Sequence, residues 1–197
     1  MRKKTITAIL LTAAVSMGYA SLQMTAADPT LESGAGVSAE TVQAAAAPSA
    51  SKLASAVKKA YGENYWPNYK LDKNEIKERY GVDSSLYASA YAEVPMISAH
   101  VDELVIFKAK NSASKKKILS AVKNYQKDLK EDTMQYPMNL LKIQGSRVYT
   151  NGKYVCFFML GGSLSKDVEE NGTEEEMIKA YQQMNNKAVN TVKKKLK

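Results

Sequence analysis

The sequence predicts an α+β domain: an antiparallel sheet of three or four strands, built on a central hairpin and packed with N-terminal, middle and C-terminal helices. Three observations predict it. Asn151-Gly152 stands between two apolar runs and suits a two-residue type I′ turn, which needs positive φ at both central positions. Tyr154 to Leu160 is apolar without interruption, as fits a strand covered on both faces. Helical spacing, in contrast, governs the apolar residues of the first, middle and last thirds of the region after Ser51.

Before any element is placed, the N-terminus has to be set aside. Arg2, Lys3 and Lys4 precede an apolar or small stretch from Ile6 to Ala20, with Ala20, Ala26 and Ala27 as small cleavage positions. The pattern is that of a secretory signal peptide, 1–27, too short for a permanent span. Residues 28–50 are rich in Ala, Ser, Gly, Thr and Pro and read as a flexible linker, because they bury too little surface to offset their ordering entropy. One α+β domain over 51–197 remains. With the leader removed, 28 basic and 20 acidic residues become 25 and 20, a modest excess spread along the chain. That distribution argues against nucleic acid and leaves anionic envelope surfaces as the natural partners of an exported basic protein. A single cysteine, Cys156, excludes an internal disulfide and a lipid-bearing cysteine after the leader.

The elements follow in order. Leu53, Val57 and Ala60 or Tyr61 mark one face of a first helix that Gly62 ends. An aromatic loop holds Tyr65, Trp66, Pro67 and Tyr69. Asp72 and Glu75 form a capping box, with Leu71 and Ile76 as its hydrophobic staple, for a helix running to Tyr80 and stopped by Gly81. Asp83 or Ser84 is read as capping a helical turn through Tyr87 to Tyr91. Glu93 to Ala109 has strand texture, with a tight polar connection around His100 to Glu103. Ile118, Val122, Tyr125 and Leu129 mark the inner face of a helix over about 113–130. A turn or short helix spans Pro137 to Lys142, and the hairpin follows. Thr173 caps a last helix whose first turn carries Glu174 to Glu176 and whose last turn is basic.

Met96-Ile97, Asp102-Glu103 before an apolar strand and Lys108-Ala109, Tyr136-Pro137-Met138-Asn139, and Gly152-Lys153-Tyr154-Val155 with Phe157 and Leu160-Gly161 form an ordered set. This set resembles a bacterial family of exported proteins known as a domain of unknown function, DUF4358, over about Ser51 to Leu196. The resemblance implies a small exported or envelope-associated domain. It brings no catalytic residues, and the chain departs from the lipoprotein pattern of many members in lacking a leader cysteine.

His100, Asp102 and Glu103 are the only potential ligands around the single histidine, and the plainer reading is a polar turn tip. Gly161-Gly162-Ser163 lacks the spacing of a nucleophile elbow. The Asn151-Gly152 register places Cys156 opposite Arg147, which would favour thiolate, but its apolar flanks point to an inert core thiol. Asn171-Gly172-Thr173 fits a turn into a cap as well as a glycan acceptor. The aromatic cluster of the N-terminal half, above all Tyr65, Trp66 and Tyr69, is the best sequence argument for a binding surface, against a packing role for the same rings.

No catalytic set, metal site or cofactor motif emerges. The leading expectation is a non-enzymatic exported module, extracellular or envelope-associated, that binds a protein or a cell-envelope polymer. An envelope hydrolase or transferase using carboxylates such as Asp102 and Glu103, and a structural or assembly subunit, are the alternatives.

Overall fold

Ser49 opens the first helix by accepting the Lys52 N–H on its side chain, and α1 runs Ala50–Tyr61 to a stop at Gly62, whose φ is +58°. The structure, a computed structural model, describes residues 47–97 and 99–197. The predicted signal peptide, 1–27, and residues 28–46 of the predicted linker lie outside the described residues. The linker's last residues are not linker: Ser49 is a cap and Ala50 is buried in α1.

A one-turn 3-10 helix, Gly62–Asn64, leads into the aromatic loop and a two-residue strand, β1, Tyr69–Lys70. The capping box forms as the sequence dictates, with Asp72 accepting from Asn74 and Glu75 and Glu75 accepting from the Asp72 N–H. It starts α2, Lys73–Tyr80, and both staple residues, Leu71 and Ile76, are buried. Asp83 caps a second 3-10 turn, Ser84–Leu86, and β2, Tyr87–Val94, follows. The helical turn expected through Tyr87 to Tyr91 is thus a strand. The alanines at 88, 90 and 92 suit a helix locally, but pairing along β3, Glu103–Ala109, overrides so weak a preference.

The remaining elements are α3, Ser112–Glu131; α4, Pro137–Gln144; β4, Arg147–Asn151; β5, Tyr154–Met159; α5, Lys166–Asn171; and α6, Glu174–Lys195. Thr173 and Glu176 form a second capping box at the start of α6. Of these, α5 has no counterpart in the sequence reading.

The fold is α+β, with five antiparallel strands in the order β1-β2-β3-β5-β4 rather than the three or four expected. The additional strand is β1, which pairs only Tyr69 and Lys70 with Val94 and Glu93 and is too short to leave a period in the sequence. Strands β3 and β5 lie at the centre and are covered on both faces. Val105 and Phe107 with Val155 and Phe157 face Ile76, Ile118, Val122 and Ile143 of α2, α3 and α4. Leu104 and Ile106 with Cys156 and Phe158 face Leu53 and Val57 of α1 and Ala188 and Val192 of α6. The uninterrupted apolar run of β5 follows from this two-sided burial.

The hairpin register differs from the expected one. Asn151 pairs with Tyr154, so the turn is Gly152-Lys153, and Gly152 carries the positive φ of +51°. Cys156 therefore lies opposite Tyr149, and Arg147 lies opposite Phe158. Both registers leave every side chain on the same face because partners move by two residues, so burial pattern could not choose between them.

Candidate functional site

The cleft forms where the chain enters β3 and leaves β5. After Leu160 the strand breaks at Gly161 and Gly162, with φ of +129° and +65°. A Cβ on Gly161 would stand 2.6 Å from Met184 Sδ, and one on Gly162 would touch the Trp66 ring at 3.4 Å, so the reversal is drawn tightly against both. Asn185, fully buried on α6, fixes this exit. Its Oδ1 accepts the Leu160 N–H at 2.8 Å, while its Nδ2 donates to the carbonyls of Tyr181 and Gly145.

The resulting cavity is about 280 Å³. Its polar wall comprises His100, Asp102, Asn139, Lys142, Ser163 and Glu169. Trp66, Leu141, Met177 and Tyr181 contribute apolar surface. At its base Lys142 Nζ donates to Asp102 Oδ2 at 2.5 Å and to the Gly162 carbonyl at 2.9 Å. Both side chains are almost wholly buried, at 5% and 1% exposure. The ammonium also lies 5.2 Å from the Trp66 ring centre and 5.7 Å from that of Tyr181, within cation–π reach of each. Burial pulls the Lys142 pKa below its ordinary value, and the Asp102 carboxylate opposes that fall. The arrangement is a charged, hydrogen-bonded floor under a partly aromatic wall.

Asp102 and Glu103 are not a turn tip. Strand alternation sends these neighbours to opposite sides. Glu103, also buried, accepts from Arg79 Nη2, from Tyr80 Oη at 3.0 Å and from Tyr125 Oη at 2.6 Å. A third buried carboxylate, Glu93, takes Lys58 Nζ at 2.8 and 2.9 Å, with the hydroxyls of Tyr65 and Tyr91 at 2.6 and 2.8 Å. Of these three buried carboxylates Asp102 alone lines the cleft, so Asp102 and Glu103 do not converge on one reaction centre. The adjacent acids in the sequence carry no sign of this divergence, because each partner lies more than twenty residues away.

The aromatic triplet is likewise divided. Tyr65 serves Glu93 on the α1 side, and Tyr69 donates to Glu75 of α2 at 2.7 Å. Trp66 alone reaches the cleft, with His100 edge-on at 4.8 Å. His100 is exposed in the β2–β3 connection. Cys156 is fully buried and its thiol is pushed up by that burial. Among the described residues no three His, Cys, Asp or Glu side chains gather as a metal-ligand set.

The segments that supply His100 and Asn139 to the cleft also carry exposed apolar side chains. Met96 and Ile97 are 73% and 61% exposed, in the same connection as His100. Met134, at 90%, and Tyr136 precede α4, and Leu140 follows Asn139 of the cleft wall. The Asn139 side chain donates to the Ala99 carbonyl at 3.1 Å and ties the two segments together. Met96-Ile97 reads as strand by composition, and only the end of β2 at Val94 shows that these residues stand outside the sheet.

The tyrosine networks have a measurable consequence. Burial, reinforced by the neighbouring carboxylates, raises the phenol pKa values of Tyr65, Tyr80 and Tyr125, and burial raises that of Tyr61. Their contribution is complete below the ordinary value of 10.0 and is lost as pH climbs towards the folded values, since the unfolded chain releases these protons first. Each such phenol should remove up to about 1.4 kcal/mol of stability per pH unit above that point. Ultraviolet titration should show the accessible tyrosines ionising first and the buried ones only together with unfolding. A single transition near the ordinary value with the fold intact would contradict these networks.

Fold and cleft together define a single-sheet domain, helices on both faces, with a polar-floored pocket at one end of the central strands. Residues 60–160 match the family described as a domain of unknown function, DUF4358, and the chain belongs to that family. No curated protein and no solved structure matches the chain. No helix among the described residues is long and apolar enough to cross a membrane.

Proposed function

We propose that this chain is an exported, non-enzymatic binding module that takes a protein or a cell-envelope polymer at the cleft end of its sheet. The observation that carries the reading is that the two chain segments supplying His100, Asn139 and Lys142 to the cleft, tied together by the Asn139–Ala99 hydrogen bond, also hold Met96, Ile97, Met134, Tyr136 and Leu140 as exposed large apolar side chains. Contact surfaces are enriched in Met and aromatic residues, and clustered exposure of this kind marks them. The buried Lys142–Asp102 pair gives the pocket a fixed polar base. The leader read from the sequence supports export, and the separation of Asp102 from Glu103 favours binding over paired-carboxylate chemistry.

The full chain should bind cell-envelope fractions, and protease treatment of those fractions tells a protein partner from a polymer. A variant with Met96→Ser, Ile97→Ser and Tyr136→Ser removes exposed apolar surface only and should keep its melting temperature. It should bind about tenfold or more weakly, which requires about 0.5 kcal/mol from each of the three side chains. Binding equal to that of the unaltered chain would remove this surface from the reading, whatever Trp66→Ala then does.

A further inference from the structure

The opposite end of the sheet carries a second and larger depression, about 770 Å³, which the cleft does not involve. It lies between the Gly152-Lys153 hairpin turn, the start of α1 and the last turn of α6. Five lysines line it: Lys52, Lys108, Lys153, Lys195 and Lys197. Among the described residues no acidic side chain lines it. Lys52, Lys153 and Lys195 are exposed and, among the described residues, make no ion pair. Pro48, Ala56, Tyr154 and Leu196 supply apolar surface in the same groove.

We infer that this groove is a docking surface for a linear polymer of alcohol units joined by phosphodiesters. Several like charges converging on a concave surface reinforce one another and draw an anionic chain. The lysine ammonium is a compact point charge with three donors, which suits a phosphate oxygen, and the groove holds no arginine fork for bidentate carboxylate recognition. Apolar surface in the same groove as the cations suits the uncharged carbon units that join successive phosphates. A uniformly charged chain would leave that surface unused. The inference stands apart from the reading of the cleft, because the two sites share no residue.

The test uses the full chain with a glycerol phosphate polymer, polyglutamate and phosphatidylglycerol vesicles as three probes. The phosphate polymer should bind most tightly and weaken as salt rises. Lys52→Gln, Lys153→Gln and Lys195→Gln combined should weaken it at least about tenfold, each surface lysine being worth roughly fivefold against an anionic partner. Lys116→Gln, Lys117→Gln and Lys123→Gln on the exposed face of α3 remove the same net charge away from the groove and should change binding by less than about twofold. Equal losses from both triple variants would reduce the effect to net charge and overturn the site. Polyglutamate bound as tightly as the phosphate polymer would overturn the phosphodiester assignment, and vesicles bound more tightly would replace the polymer with a lipid surface.

Discussion

Lys142→Met should lower folding stability by about 3–5 kcal/mol, the range for breaking a buried ion pair by removing one partner. The loss comes less from the missing attraction than from what is left behind. Asp102 would keep a buried charge whose only remaining hydrogen bond among the described residues is the long one from the Gly162 N–H, at 3.5 Å. The Gly162 carbonyl would also lose its donor. Adding Asp102→Asn should recover much of the loss, because a polar group without charge costs less to bury than an unpaired carboxylate. Urea unfolding of the three variants measures the cycle. Trp66, the one tryptophan, lies 5.2 Å from the ammonium and reports on the cleft through its emission. A Lys142→Met protein within about 1 kcal/mol of the parent would show that the pair holds neither the cleft nor the fold.

Phe157→Ala should cost a similar amount, about 3–5 kcal/mol, through lost transfer energy and the cavity left behind. Phe157 is fully buried in the centre of the sheet, between Val105 and Val148, with the Tyr125 ring edge-on at 5.6 Å. Neighbours on two strands and a helix cannot all move in to close the space. Phe157→Leu keeps most of the volume and should cost less than about 1.5 kcal/mol. Comparing the two by thermal and denaturant unfolding separates volume from shape. An alanine variant as stable as the leucine variant would mean that the site collapses freely, contrary to the two-sided packing of β5.

The two predictions differ in what made them visible. Phe157 belongs to an apolar run that announces a strand covered on both faces, and its burial could be read without coordinates. The Lys142–Asp102 pair could not. Lys142 lies in a short helix beside Leu141 and Ile143, where a lysine ordinarily reaches solvent, and its partner is forty residues away. The same holds for Glu93, read as the start of a strand-textured stretch, and for Glu103, read as part of a polar connection: both are buried acceptors, for Lys58 and Arg79. Of the three aromatic residues proposed for binding, one reaches the cleft. The exposed rim beside it was obscured because Met96 and Ile97 have the composition of a strand and the position of a loop.

By itself the sequence determined the α+β class, the capping box at Asp72, the N-cap at Thr173, the inner face of α3 and the central strand β5. These depend on neighbours within a few residues, where period and hydrogen-bond geometry are local. The tertiary structure alone decided the hairpin register, the strand character of Tyr87 to Tyr91, the additional strand β1 and the destinations of the three buried carboxylates. Two registers that keep the same faces differ only in the turn residues and in which β4 residue stands opposite which β5 residue, and a carboxylate becomes a buried acceptor only when the fold brings a distant cation and hydroxyls to it.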